Sequence, residues 1–117
     1  MIIDLSIYKK EDLEIKSLKG TTFIIPGNFT TEFYINLLDK FEKIKKKNSK
    51  TNPLEYIKLA EGLALDILSL DKTKTVTIDT VKEEFSDIYA LSALINSVMS
   101  YVSEIDNDPL HNAPMSR

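Results

Sequence analysis

The sequence predicts an α+β domain in which an N-terminal β-hairpin packs on four helices, with the N-terminal arm as a candidate third strand. Two short strand-like runs, at 13–16 and 22–25, precede a chain whose apolar residues recur at helical spacing. A length of 117 residues provides one core and not two. We therefore expect one domain over residues 1–105 and a flexible tail over 106–117, where two prolines interrupt any period.

The first 27 residues predict the β-structure. Residues 2–8 alternate loosely, which is typical of an edge strand or an extended arm. Gly20 lies between the two strand-like runs, where a short hairpin loop requires positive φ, and Pro26-Gly27 ends the second strand. Two strands alone are marginally stable in water, so the hairpin must pack on the helices.

Four helices are predicted after the hairpin. The first begins after Thr30 as N-cap and ends in the lysine-rich segment 45–48, and the second spans 53–70 behind an Asn52 cap. A helix of about two turns follows within 76–85, capped by Thr80 with Glu83 or starting at Thr77 instead. Ser86-Asp87 then caps the last helix, which spans 87–105. Their predicted inward faces are Tyr34, Leu37, Leu38, Phe41 and Ile44; Ile57, Ala60, Ala64, Ile67 and Leu68; Ile78, Val81 and Phe85; and Ile88, Leu91, Ile95, Val98, Val102 and Ile105.

The residue types that carry most enzyme chemistry are scarce. The chain has no cysteine, which excludes disulfides, thiolate catalysis and cysteine-ligated metals, and its one histidine, His111, falls in the predicted tail. Neighbouring carboxylates such as Glu83-Glu84 point about 100° apart on a helix and do not form an acid–base pair. The three glycines are isolated, so no phosphate-binding loop is present, and Gly62 is expected to permit a close helix contact. The sequence predicts no catalysis, no cofactor and no metal site.

Charge is distributed unevenly along the chain. Residues 1–50 carry ten lysines and seven acidic residues, whereas residues 51–117 carry five basic and eleven acidic residues. Such a dipolar chain favours self-association or docking on an oppositely charged partner. The basic cluster at Lys40, Lys43, Lys45, Lys46, Lys47 and Lys50 is interleaved with Asp39 and Glu42 and contains no arginine. We interpret it as a solvated helix end, with a small nucleic-acid-binding regulator as an alternative.

The sequence gives two expectations about location. No apolar stretch reaches the ~18 residues that a bilayer crossing needs. The segment Met1–Asp4 lacks the basic and apolar regions of a secretory signal, so we expect a cytoplasmic protein without a membrane partner.

The last predicted helix carries the main functional signal. From Ile88 to Ser103 no residue is charged, and the side away from the apolar seam carries small neutral residues. An exposed helix face normally shows charge, so either the domain buries this helix itself or one side meets another subunit or partner. The candidate interaction residues, from this helix and the second half of helix 53–70, are Leu63, Leu65, Leu70, Ala90, Ala93, Leu94, Ser97, Ser100 and Tyr101.

The order of elements resembles a known family. Leu13–Lys16 through Thr22–Phe33, with Ile25-Pro26-Gly27 as its turn, is similar to the hairpin and first helix of small tail-assembly proteins from Firmicute phages and prophages. The segments Lys74–Val81 and Phe85–Met99 resemble the short-helix and long-helix ending of the same group. The resemblance covers residues 13–105 and points to the tail assembly chaperones of long-tailed phages.

The resemblance implies a function without catalysis. Proteins of this family coat the tape measure protein, keep it soluble, help to recruit tail tube subunits and self-associate. By this resemblance we expect a tail assembly chaperone of the bacterial cytoplasm, whose partners are the tape measure protein, the tail tube protein and further copies of itself. The alternatives are a structural tail or neck component of the virion and the nucleic-acid-binding regulator.

Overall fold

The computed structural model describes residues 1–5, 10–46 and 53–107, with side chains to residue 102. Over these residues the chain forms two strands and four helices, which confirms the predicted α+β fold. They are β1 (Leu13–Lys16), β2 (Thr22–Ile25), α1 (Thr31–Lys46), α2 (Pro53–Leu68), α3 (Ile78–Glu84) and α4 (Ile88–Asn107). Residues 1–5 form no strand, and the rest of the predicted arm, 6–8, lies outside the described residues.

The hairpin forms as the sequence predicts. β1 and β2 pair antiparallel, with Leu13 opposite Ile25 and Lys16 opposite Thr22. Gly20 adopts a φ of 87°, the left-handed conformation that the loop requires. Gly27 is needed for a different reason, because a Cβ there would overlap the backbone carbonyl of Glu11. The segment before β1 therefore runs directly against the turn that follows β2.

The core is organised around α2, which contacts α1, α3, α4 and β2. Phe23 and Ile25 of β2 are at most 1% exposed and face the helices. From α2, Leu63, Ile67 and Leu68 are equally buried, and α4 contributes Val98 and Val102. The hairpin is thus held by burial of one face of β2 on the helical layer, which is the packing that two strands need.

The N-caps of three helices can be compared with the predicted ones. Thr30 accepts a hydrogen bond from the Phe33 N–H (3.1 Å), and Asp87 accepts one from the Ala90 N–H (2.7 Å), so both caps are confirmed. α3 starts at Thr77, whose side chain and that of Thr80 form the capping box, so the pairing of Thr80 with Glu83 is wrong. Asn52 lies outside the described residues.

Four residues predicted to face inward are instead 36–37% exposed: Leu38, Ile57, Ile78 and Ile88. Ile78 and Ile88 are the first residues of their helices. Leu38 is on α1, which packs substantially on α2 only, so its buried stripe is narrow. α4 also continues to Asn107, past the predicted end at 105, and the remaining tail, 108–117, lies outside the described residues.

One buried carboxylate joins the hairpin to the helices. Asp71, three residues after the end of α2, is 2% exposed and accepts hydrogen bonds from the Ile24 N–H (2.8 Å) and the Thr73 N–H (2.9 Å). The Thr73 hydroxyl donates to the same carboxylate at 2.6 Å, and Lys74 Nζ lies 3.5 Å away. Asp71 thereby ties the centre of β2 to the connection between α2 and α3.

We expect the stability of the domain to fall in acid. Hydrogen bonds from Thr73 and Ile24 hold the pKa of Asp71 far below its ordinary value of 3.8, and a hydrogen bond from the Ser17 hydroxyl lowers the pKa of Glu84. Both pKa values are lower in the folded state, so the unfolded state takes up protons first as the pH falls. The stabilisation is complete above about pH 5 and declines below it, by about 1–3 kcal/mol at pH 3. Urea unfolding from pH 7 to pH 3 measures this, and an unfolding free energy that is constant over the range contradicts it.

Replacing Gly62 with alanine is expected to stabilise the protein. The expected close helix contact at Gly62 is wrong, because a Cβ there meets no atom within 4 Å. Gly62 lies inside α2, where glycine costs about 1 kcal/mol relative to alanine. Thermal unfolding should show a midpoint about 4 °C higher. Ala64→Gly on the same helix, at a fully buried position, should be strongly destabilising; an equal effect of the two substitutions would contradict the argument.

Candidate interaction surface

α4 has one buried side and one exposed, uncharged side. Leu91, Ile95, Val98 and Val102 are at most 4% exposed, which confirms the central part of the predicted seam. On the other side Ala93, Asn96, Ser97 and Ser100 are exposed, and Tyr89 is 83% exposed. The domain therefore does not bury this helix completely. A neutral face of small side chains stays in contact with solvent.

A groove lies between this exposed side of α4 and strand β1. It has a volume of about 390 Å³, and Phe85 is among the residues that line it. The β1 side is formed by Leu13 to Leu18, and the α4 side by Ala90, Ala93, Leu94 and Ser97. The small residues of α4 thus face the outer edge of the hairpin, from which they are separated by more than 70 positions in the sequence.

The edge of β1 that borders the groove is open for hydrogen bonding. The Ser17 N–H donates to the Thr21 carbonyl (2.9 Å), and hydrogen-bonded pairs alternate along an antiparallel ladder. Glu14 and Lys16 therefore point their N–H and C=O groups away from β2. Within residues 1–5, 10–46 and 53–107, no group hydrogen-bonds to them there.

Hydrogen bonds to other parts of the chain occupy the backbone on both sides of this open stretch. They also occupy the centre of the opposite edge, on β2. Past Lys16, the Leu18 N–H donates to the Glu84 carbonyl (3.1 Å), and the Ser17 hydroxyl donates to Glu84 Oε1 (2.5 Å). Before Leu13, the Tyr101 hydroxyl donates to the Glu11 carbonyl. On β2, the Ile24 N–H is occupied by Asp71. The open edge of the hairpin is therefore limited to the short stretch from Glu14 to Lys16.

The structure distributes the predicted interaction residues among three environments. Ala90, Ala93, Leu94 and Ser97 come together in the groove, although Leu94 is only 4% exposed and also belongs to the core. Leu63, Leu65 and Leu70 do not line the groove: Leu63 is fully buried, and Leu65 and Leu70 are half-buried against the core. Ser100 is exposed outside the groove, and Tyr101 contacts the segment before β1.

The sequence interpretation missed the contribution of β1. Leu13, Ile15 and Lys16 form the opposite wall of the groove, and none was a candidate. The signal was present, because any two-stranded sheet leaves one unpaired edge on each strand. What the sequence alone did not supply was the position of α4 beside that edge.

The described part of the basic cluster is largely neutralised. Lys40 pairs with Asp66 of α2, Lys43 with Asp39 (3.3 Å) and Lys45 with Glu42 (3.3 Å). Lys47 and Lys50 lie outside the described residues. These pairings agree with the interpretation of a solvated helix end and do not favour phosphate binding.

Among residues 1–5, 10–46 and 53–107, no three histidine or acidic side chains come together as a metal ion would require. No helix there combines the length and the hydropathy that crossing a bilayer demands.

Comparison with known proteins gives no relative. The chain matches no known protein family, no characterised protein and no solved structure significantly. The groove and its surroundings are therefore the basis for any functional argument.

Proposed function

We propose that this protein is a non-catalytic binding protein that acts as a tail assembly chaperone, holding an apolar segment of the tape measure protein and associating with copies of itself. The observation that carries the proposal is the groove between β1 and the uncharged side of α4. Its walls combine apolar side chains with an open strand edge. Such a site binds an extended segment through main-chain hydrogen bonds and apolar pockets.

The absence of charged residues from Ile88 to Ser103 of α4 supports protein rather than solvent as the natural neighbour of this face. Ala93 and Ser97 are exposed and small, which allows the backbone of a partner to approach closely. Charged residues on this face would have to be desolvated by any partner, at a cost of several kcal/mol for each unpaired charge. A helix face that stays in water can carry charged residues without this desolvation cost.

Large apolar side chains are also exposed outside the groove. Ile35 on α1 and Leu54 on α2 are each 60% exposed, and Tyr89 at the start of α4 is exposed further. Single exposed apolar residues are common on soluble proteins. Together with the groove they supply several separate contacts for a long apolar partner, which suits a protein that coats one.

Co-expression tests the proposal. The proposal predicts a tape measure gene next to this one; the protein that it encodes should become more soluble when both are produced, and the two should co-purify. A tape measure protein that is equally insoluble with and without this chain contradicts the proposal. Mass spectrometry of purified virions separates the chaperone, which should be absent, from a structural tail or neck component, which should be present.

A further inference from the structure

The open edge of β1 has the charge pattern of a strand that pairs with a copy of itself. We propose that two copies of the chain join antiparallel through β1, with Ile15 opposite Ile15 of the second copy, so that the two hairpins form one continuous sheet. This inference rests on the self-association part of the proposed function. It names the edge, the register and the symmetry of that association.

The backbone groups of the open stretch match those of a second copy. Glu14 and Lys16 point their N–H and C=O groups away from β2, and within residues 1–5, 10–46 and 53–107 nothing hydrogen-bonds to them there. With Ile15 at the centre, Glu14 of each copy lies opposite Lys16 of the other, and such a pair exchanges both hydrogen bonds. Every open group of the stretch is then satisfied.

The side chains at these two positions have opposite charges. Glu14 and Lys16 are exposed, and among the described residues neither takes part in an ion pair. Their neighbours across the hairpin are the uncharged Ile24 and Thr22, so neither charge is matched within the single chain. In the proposed register each Glu14 meets Lys16 of the other copy, and opposite charges stabilise a cross-strand pair.

The neighbouring symmetric registers are unfavourable. Centring the pairing on Glu14 would place two glutamates opposite each other, and centring it on Lys16 would do the same with two lysines; like charges directly opposite are destabilising. Centring on Lys16 would also place Glu14 opposite Leu18, whose N–H already donates to the Glu84 carbonyl. The charges and this hydrogen bond therefore select Ile15 as the centre.

The symmetry of the pairing brings the two α4 helices together. Residues directly opposite each other in a sheet lie on the same face, so the two-fold axis is perpendicular to the sheet and both helical layers lie on one side of it. On that side, α4 borders the open edge with Ala93 and Ser97 exposed in the groove. The uncharged sides of the two α4 helices thus face each other, and their short side chains allow close packing.

The pairing also covers apolar surface that the single chain leaves open. Ile15 lines the groove and is only half-buried. Because Ile15 and its counterpart form a pair without mutual hydrogen bonds, their Cα atoms would lie about 4.5 Å apart. The ladder itself is short, so these apolar contacts and the α4 contact supply the burial that a stable sheet needs.

The second copy and the tape measure segment of the proposed function compete for one edge. Both need the backbone groups of Glu14 and Lys16, and only one strand can pair with them. A bound segment therefore replaces the second copy at β1. Until then, self-association keeps the open edge covered.

A charge-exchange experiment on the purified chain tests the register. Analytical ultracentrifugation should show a concentration-dependent dimer for the parent. Glu14→Lys and Lys16→Glu should each weaken the dimer by about tenfold, because each replaces two opposite-charge pairs with two like-charge pairs. An equimolar mixture should recover dimerisation to within about twofold of the parent, because one variant then supplies only lysines and the other only glutamates.

Two further variants serve as controls for the charge exchange. The double variant Glu14→Lys/Lys16→Glu restores both opposite-charge pairs in reversed order, so it should dimerise by itself to within about twofold of the parent. Lys82→Glu, an exposed charge reversal on α3, should dimerise as the parent does. Circular dichroism establishes that all variants fold.

A cysteine variant tests the pairing without changing a charge. The chain contains no cysteine, so Ile15→Cys can form a disulfide only between two copies. A Cα separation of about 4.5 Å falls within the range that a disulfide spans. Under mild oxidation Ile15→Cys should cross-link rapidly, whereas Ile24→Cys, on the other strand of the same hairpin, should cross-link at the slow rate of random collision.

Four results would overturn the proposal: a parent that is monomeric at every concentration, single variants that dimerise as the parent does, a mixture that fails to recover, or equal cross-linking of the two cysteine variants. A monomeric parent would leave the edge to a strand from another protein. Since only the purified chain is used, a missing tape measure complex would not change these results. Failure of the charge exchange would in turn leave the co-expression result intact, so the two proposals fail independently.

Discussion

Replacing Asp71 with asparagine is expected to lower the free energy of unfolding by about 2–4 kcal/mol. One carboxylate oxygen accepts from Thr73 and the other from the Ile24 N–H. An amide of the same shape turns a donor towards one of these donors, so a buried hydrogen bond is lost and a polar group is left unpaired. The charge that Lys74 stabilises is lost as well.

Thermal and urea unfolding followed by circular dichroism measure this effect. For a domain of this size the midpoint should fall by roughly 10–25 °C. Asp39→Asn is the matched control, because that carboxylate is 61% exposed and pairs with the equally exposed Lys43, so its removal should cost under about 1 kcal/mol. Equal stability of the two variants would show that Asp71 does not tie β2 to the helices.

If the proposed function is right, introducing glutamate at Ala93 or Ser97 should abolish self-association and binding of the tape measure protein. Both side chains line the groove, and a carboxylate there would have to lose its hydrating water when a partner covers the groove. The dissociation constant should rise on the order of 100-fold or more. Both positions are exposed in the single chain, so its helicity and stability should change by less than about 0.5 kcal/mol.

Light scattering and affinity capture measure the loss. Asn96→Glu is the matched control, because Asn96 is exposed on the same helix and does not line the groove. It adds the same charge to α4 and should leave both interactions close to those of the parent. If Ala93→Glu and Ser97→Glu bind like Asn96→Glu, the interaction surface lies elsewhere on the chain.

Features decided within a few residues were predictable from the sequence. The strand bounds, the positive φ of Gly20 and the caps at Thr30 and Asp87 all depend on local geometry. The uncharged side of α4 was also predictable, because the charge of a side chain follows directly from its residue type. Local rules gave two possible starts for α3, and the structure selects the one at Thr77.

Features that depend on distant neighbours were not predictable in the same way. Leu63 and Leu94 were predicted to lie at an interface with a partner, but both side chains are buried in the core of the domain itself. Asp71 lay in a segment expected to be a polar connection, and only its contact with Ile24, 47 positions earlier, shows its role. The groove likewise depends on how β1 and α4 lie side by side, which no local pattern encodes.

The unequal edges of the hairpin limit what any assembly built on them can become. The outer edge of β2 is occupied at Ile24 by Asp71, whereas within the described residues the backbone groups of Glu14 and Lys16 on the outer edge of β1 are open. A ribbon that grows from one side only cannot propagate into an endless fibre. Strand addition to this hairpin would therefore stop after one added strand on the β1 side, which protects the domain against continued edge-to-edge aggregation.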